Sequence, residues 1–183
     1  MSSTAGQLLV SLPDLGDDNF DQTVVLVLEH DEQGALGVVL NRPSGVEVSA
    51  HLGHLGRIVA SPSMFFVGGP VGVGGRLALG RQRLGAPATK GTSIVGPVVL
   101  VDPRSLLDGE LETLDVVRIF SGYSGWAAGQ LDAELAAGTW HVASALPDDV
   151  FTSEPEHLWR SVMRRQGGRL VAQSLFPDDV SVN

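Results

Sequence analysis

The apolar residues of this chain fall into short runs separated by glycine, proline and acidic turns, a rhythm of strands rather than of long helices. Leu8 to Leu12 predicts a first strand, stopped by Pro13 and by the turn-prone Asp14, Gly16, Asp17, Asp18 and Asn19. Thr23 to Leu28 predicts a second. Its five consecutive apolar residues, Val24-Val25-Leu26-Val27-Leu28, fit a strand covered on both faces. The polar stretch from Glu29 to Gly34 turns the chain, and Ala35 to Leu40 returns as a third strand, which makes a hairpin the economical reading. Asn41-Arg42-Pro43 stops that strand, because proline cannot donate to a ladder and restricts the residue before it. A short helix is expected within Val46 to Leu55. Phe65-Phe66-Val67 predicts a strand entering Gly68-Gly69-Pro70, with a loop or bulge onward to Gly75. Leu77 to Leu79, Ile94 to Val101 and Val116 to Phe120 complete the expected strands.

Two helices follow from the 3.6-residue period. Gln130 to Ala137 puts Leu131 and Leu135 on one face, with Gly138 placed to end the helix in the left-handed conformation. The second begins at Ser153-Glu154-Pro155-Glu156, which reads as a capping box, turns Leu158, Trp159, Val162 and Met163 inward, and closes at Gly167. Strands crowd the first part of the chain and helices the last, which argues for an α+β fold: one mixed sheet, curled or barrel-like, flanked by a few helices. At 183 residues the chain fits a single domain spanning 1–183.

Charge and composition narrow the function classes. The formal net charge is -9, from 21 acidic against 12 basic side chains, a field that repels phosphate backbones and anionic lipids. Direct DNA binding is therefore disfavoured, and Arg160, Arg164, Arg165 and Arg169 read as a solvated helix face. The chain has no cysteine, which removes disulfides, thiolate metal sites and cysteine nucleophiles. The start, Met1-Ser2-Ser3-Thr4-Ala5-Gly6-Gln7, has neither the cationic nor the apolar part of a signal peptide, and no apolar run reaches membrane-spanning length, so a cytoplasmic location is expected.

The familiar catalytic signatures fail on spacing. Gly122-Tyr123-Ser124-Gly125-Trp126 has its second glycine one position too early for a nucleophile elbow, so Ser124 is a poor nucleophile. Gly72-Val73-Gly74-Gly75-Arg76-Leu77 lacks the sixth-position glycine of a dinucleotide loop, and Thr89-Lys90-Gly91-Thr92 lacks the glycine before lysine of a phosphate loop. His51 and His54 are three apart with no carboxylate in the next turn, which leaves a metal site without its third ligand. No cofactor, metal or catalytic residue is expected. Glu29-His30 stands at a strand end, where function often sits, although a structural pair anchoring the hairpin is the plainer reading. The densest constellation runs from Phe120 to Leu131, where small and aromatic residues precede a helix. One reading is an anion or carbonyl pocket of exposed amides and the Gln130 amide, walled by Tyr123 and Trp126. The other is that the glycines admit close backbone packing while the aromatics fill core.

Several segments taken together resemble the YqgE/AlgH family: Gly6-Gln7-Leu8-Leu9-Val10, Asp21 to His30, Gly34 to Pro43, Val67-Gly68-Gly69-Pro70-Val71, and Gly122 to Trp126 through Gln130-Leu131. The resemblance spans nearly the whole chain. It implies an α+β fold with a barrel-like sheet flanked by helices, in a bacterial group of largely unknown biochemical function for which a transcriptional-regulation role has been proposed in some members. Glu29, His30, Asn41, Arg42, Gly68, Gly69, Pro70, Tyr123, Gly125, Trp126 and Gln130 carry over as signature residues without a catalytic role, and all but Pro70 are taken as candidate ligand-binding positions. Ala127-Ala128 stand where a further glycine or proline is frequent, a departure that narrows any pocket. The first functional expectation is a non-enzymatic binding or regulatory protein, acting on an unknown small ligand or protein partner. The alternative is a hydrolase or transferase with its site between the Asn41-Arg42 turn and the Tyr123–Trp126 segment, Arg42 holding an anion and His30 acting as base.

Overall fold

A computed structural model of the chain describes residues 3–12, 22–104, 106 and 110–174. The turn expected at 13–19 lies outside them. The first three strands are β1 (Gln7–Ser11), β2 (Val24–Asp31) and β3 (Gly34–Val39), an antiparallel meander in which β2 and β3 form the expected hairpin. Then come β4 (Pro43–Glu47), β5 (Met64–Val67), β6 (Val71–Gln82), β7 (Thr92–Val95), β8 (Val98–Val101), β9 (Leu114–Ala127) and β10 (Trp140–Ser144). The helices are short: α1 (Gln130–Ala136), α2 (Pro147–Val150), α3 (Pro155–Gln166) and α4 (Gly168–Gln173). Among the described residues no helix is long and apolar enough to cross a membrane.

Eight strands run in the order β10-β1-β2-β3-β9-β6-β8-β7, while β4 pairs β5 and β5 pairs β9 in parallel, so the sheet is mixed. It is curled. The concave core holds Leu8 and Val10 of β1 at one end of this order and is packed by Ile94 and Val95 of β7 at the other, which a flat sheet could not bring together. The continuous apolar run of β2 divides by the period of two: Val24, Leu26 and Leu28 enter the concave core, and Val25 and Val27 enter a second cluster on the convex face. Helix α3 fills the concave side with Leu158, Trp159, Val162 and Met163, and the Trp159 indole N–H donates to the Ser11 carbonyl at 2.9 Å. Burial of four such side chains stabilises the sheet and helix together by roughly 1.5–3 kcal/mol each. Helix α1 covers the convex face with Leu131 beside Trp126 and Trp140. A third cluster lies behind β6, β8 and β9.

Several expectations change at the element level. The Val46–Leu55 segment gives only a 3-10 turn, Gly53–Leu55, after β4. The stretch 72–75 is a bulge, as its glycines suggest, but one inside β6, between the pairs Val71 with Tyr123 and Arg76 with Ser121. Ile94 to Val101 breaks at Gly96-Pro97 into β7 and β8, because proline cannot continue the ladder. The capping box is not formed. Glu154 is the cap residue of α3 without a side-chain bond, and the hydroxyl of Thr152, not that of Ser153, accepts the Glu154 N–H at 3.2 Å. The largest change is β9, which runs straight through Gly122-Tyr123-Ser124-Gly125-Trp126 to Ala127, so this constellation is a strand and not a loop opening a helix.

Candidate functional site

Two strands place most of the candidate residues. The ladder between β3 and β9 pairs Ala35 with Trp126, Leu36 with Gly125 and Gly37 with Ser124, so the Gly-Tyr-Ser-Gly-Trp segment lies beside the β2–β3 hairpin. Residues three apart on a strand point to opposite faces. Tyr123 accordingly packs against the concave core and Trp126 against the convex cluster, and the two cannot wall one pocket. Ser124 is buried, with its hydroxyl directed at the Gly68 carbonyl at 3.2 Å.

Gly68 and Gly69 form the crossing between β5 and β6. The Gly68 carbonyl accepts the Val39 N–H and the Gly68 N–H donates to the Ser121 carbonyl, each at 2.9 Å, which stitches β3 to β9 through the crossing. A Cβ on Gly68 would overlap the Gly122 carbonyl oxygen, and one on Gly69 would overlap the Tyr123 carbonyl. These two signature glycines are explained by backbone approach alone.

At one end of the hairpin, Asn41 acts as an extra rung of the ladder: its Oδ1 accepts the Val24 N–H at 3.0 Å and its Nδ2 donates to the Gln22 carbonyl at 2.8 Å. The Arg42 Nη2 donates to the Thr23 hydroxyl at 3.0 Å. At the other end, beyond a bulge between Val27 and Glu29, stands His30. Its side chain is 5% exposed, its Nδ1 accepts the Thr4 backbone N–H at 3.2 Å and lies 2.9 Å from the Thr4 hydroxyl, and its Nε2 faces Asp132 of α1 at 3.6 Å. Because an amide can only donate, Nδ1 is the unprotonated nitrogen and Nε2 carries the hydrogen. Val24 and His30 are six steps apart along β2, about 20 Å at the strand rise. His30 and Arg42 therefore do not meet at one small substrate, and the expected hydrolase or transferase site is not assembled. The row Thr4, His30, Asp132 has the residue types of a nucleophile, base and orienting acid, but Thr4 is buried and its neighbouring amides are spent, Gly6 on Val27 and Gln7 on Thr4.

Around α1 the remaining candidates close a network that the sequence reading missed. One oxygen of Glu134, Oε2, accepts both the Trp126 and Trp140 indole N–H groups, at 2.9 and 2.8 Å, and Oε1 accepts the Gln130 amide N–H at 3.0 Å. The Gln130 carbonyl oxygen in turn accepts the Ala127 N–H at 3.0 Å. The two indoles meet edge to face, with centroids 6.4 Å apart. The Gln130 amide is thus engaged and does not line an anion pocket. The signals for Glu134 were its i, i+4 spacing from Gln130 and the presence of two tryptophans on nearby strands.

Beside this network lies an open cleft of about 200 Å³ at the hairpin turn, lined by Glu29, Asp31, Gln33 and Trp126 among others. It joins Glu29 and Trp126 of the candidate set. Among the described residues no group of three or more histidine, aspartate or glutamate side chains is arranged to hold a metal ion. His51 packs edge-on to Phe65, with centroids 5.7 Å apart.

Another unanticipated residue is Arg118 of β9, 1% exposed. Its guanidinium stacks 4.1 Å over the Phe66 ring and donates to the Thr152 and Ser61 carbonyls at 3.0 and 2.6 Å, while its buried Nε has no partner. Burial pushes its pKa down to about 10, so it remains a cation at neutral pH.

Fold and site together define a curled mixed-sheet α+β protein whose signature residues build a strand crossing and attach a helix. Residues 8–171 match the AlgH-like family DUF179. UPF0301 proteins of Streptomyces avermitilis and Rhodococcus opacus are each 44% identical, the first over 100% of this chain and 97% of its own length, the second over 97% and 90%. The crystal structure of protein DIP2367 from Corynebacterium diphtheriae superposes with a TM-score of 0.86 at 31% identity, covering 96% of this chain and 94% of that one. The solution structure of the AlgH protein from Pseudomonas aeruginosa gives a TM-score of 0.71 at 29% identity, with 98% of both chains covered. The chain belongs to the AlgH-like family.

Proposed function

We propose that this is a non-enzymatic binding protein of regulatory type, acting in the cytoplasm, which takes a small cationic group in the cleft at the hairpin turn. The group belongs either to a free amine or guanidine or to a side chain of a protein partner. The observation that carries the reading is the makeup of the cleft: Glu29 and Asp31, two apart on β2 and so on one face, supply negative charge beside Gln33. Two carboxylates side by side suit an ammonium or guanidinium. A binding role is also favoured because the polar side chains with catalytic potential, His30, Ser124 and Gln130, are engaged in internal hydrogen bonds. A regulatory role through a protein partner accords with the acidic balance of the chain.

Titrating the nitrogen-15 labelled protein with arginine, lysine and spermidine tests this. Saturable shifts are expected at the Glu29–Leu36 amides, weakened at least about tenfold in Glu29→Gln/Asp31→Asn. Absence of saturable shifts for every cation, or shifts unaltered in the double variant, rejects the site.

A further inference from the structure

The connection 83–91, between β6 and β7, carries Leu84 at 98% exposure. This is not a slack segment. The Ala86 N–H donates to the Arg83 carbonyl at 3.2 Å, closing a turn with Leu84 and Gly85 at its corner. The Gln82 side chain ties the far limb, donating to the Pro87 carbonyl and accepting the Thr89 N–H, both at 2.8 Å. The near limb is fixed by Arg83, whose backbone N–H donates to the Thr113 carbonyl at 2.8 Å and whose side chain donates to Leu114 and Asp115 at 3.0 and 3.1 Å. Side-chain bonds on both limbs thus hold a leucine out in water, and such preorganisation lowers the entropic cost of burying it against another surface. Two open clefts flank the same turn, of about 610 Å³ beside Pro87 and Glu112 and about 440 Å³ beside Pro97 and Asp115.

We propose that this face is the contact between two copies of the chain, related by a two-fold axis, with Leu84 of each copy seated in a cleft beside the turn of the other. Charge selects the occupant. The molecule carries -9 overall, so two copies repel through most of their surfaces. Around Leu84, however, Arg81 and Arg83 alternate with Asp115 and Glu112. A face that carries both signs pairs with its own rotated image by setting Arg83 opposite Asp115 or Glu112, whereas a uniformly acidic or basic partner meets like charges in half the contact. A two-fold contact also uses protruding leucine and receiving cleft from the same patch, which is the self-complementarity such symmetry requires.

The test is sedimentation velocity of the full chain from roughly 10 μM to 1 mM, a range suited to a contact of this modest size. A monomer–dimer equilibrium is expected, retained in Leu84→Met and weakened at least about tenfold in Leu84→Asp and Leu84→Ser, since each dimer loses two buried leucines. At dilutions where every chain is a monomer, thermal midpoints of these variants should equal that of the parent, because Leu84 is 98% exposed and makes no core contact. A parent chain that sediments as a monomer throughout the range overturns the proposal, as does a Leu84→Asp variant that dimerises like the parent.

Discussion

Glu134 shows how one charged side chain can fix a helix to a sheet. The isolated α1 helix, at seven residues, is too short to be stable in water, and its burial rests largely on Leu131. The Glu134 carboxylate supplies the rest by accepting from two indoles that are 7% and 5% exposed, one on β9 and one on β10. Removing it strands two buried donors. Glu134→Ala is therefore expected to lower unfolding stability by about 2–4 kcal/mol, and Glu134→Gln, which keeps one acceptor oxygen, by less. Urea denaturation followed by tryptophan emission measures both. The candidate positions read differently after this. Glu29 and Trp126 were singled out separately, one at a strand end and one beside small residues, and no local pattern joined them at one cleft. Glu134 was not, since one acid on a short polar helix looks like any solvated residue until the two tryptophans are placed. Arg118 was hidden for the same reason: between Val117 and Ile119 it reads as the polar side of a strand, yet it points inward against Phe66.

At the level of elements, patterning was reliable where one period ran undisturbed. The meander β1–β3 came from apolar runs with turn residues between them, and α1 and α3 came from i, i+4 spacing. It failed where glycine was read as a chain breaker. In β9 the small residues Gly122 and Ser124 alternate with Tyr123 and Gly125 and are strand positions kept small so that Gly68 and Gly69 can cross them. β10, five residues with His141 near its centre, offered too little alternation to be read as a strand. The crossing supports its own test. Gly69, at φ 152°, tolerates no Cβ against the Tyr123 carbonyl, and Gly69→Ala is expected to destabilise the protein by about 2–4 kcal/mol, while Gly45→Ala, where a Cβ has open space but φ is also positive, should cost only about 1 kcal/mol. Comparing the two thermal midpoints separates overlap from left-handed strain.

For the whole molecule, the curled sheet was legible as a class, from the ordering of strands before helices, while its pairing order was not. Partners such as β5 with β9 are joined by contacts between residues more than fifty apart, which no local pattern encodes. The charge balance acts at this scale too: duplex DNA is expected to migrate without retardation in gel shifts at low salt, the condition most favourable to phosphate contacts, and retardation there would reveal a concentrated basic surface. Strand β9 has one last consequence. It borders β3, β5 and β6, so the open edge of the first hairpin stays uncovered until residue 127 has left the ribosome. For most of its synthesis the nascent chain displays a hairpin with one unsatisfied flank, and that interval, rather than the finished fold, is when chaperone capture or mispairing would decide yield.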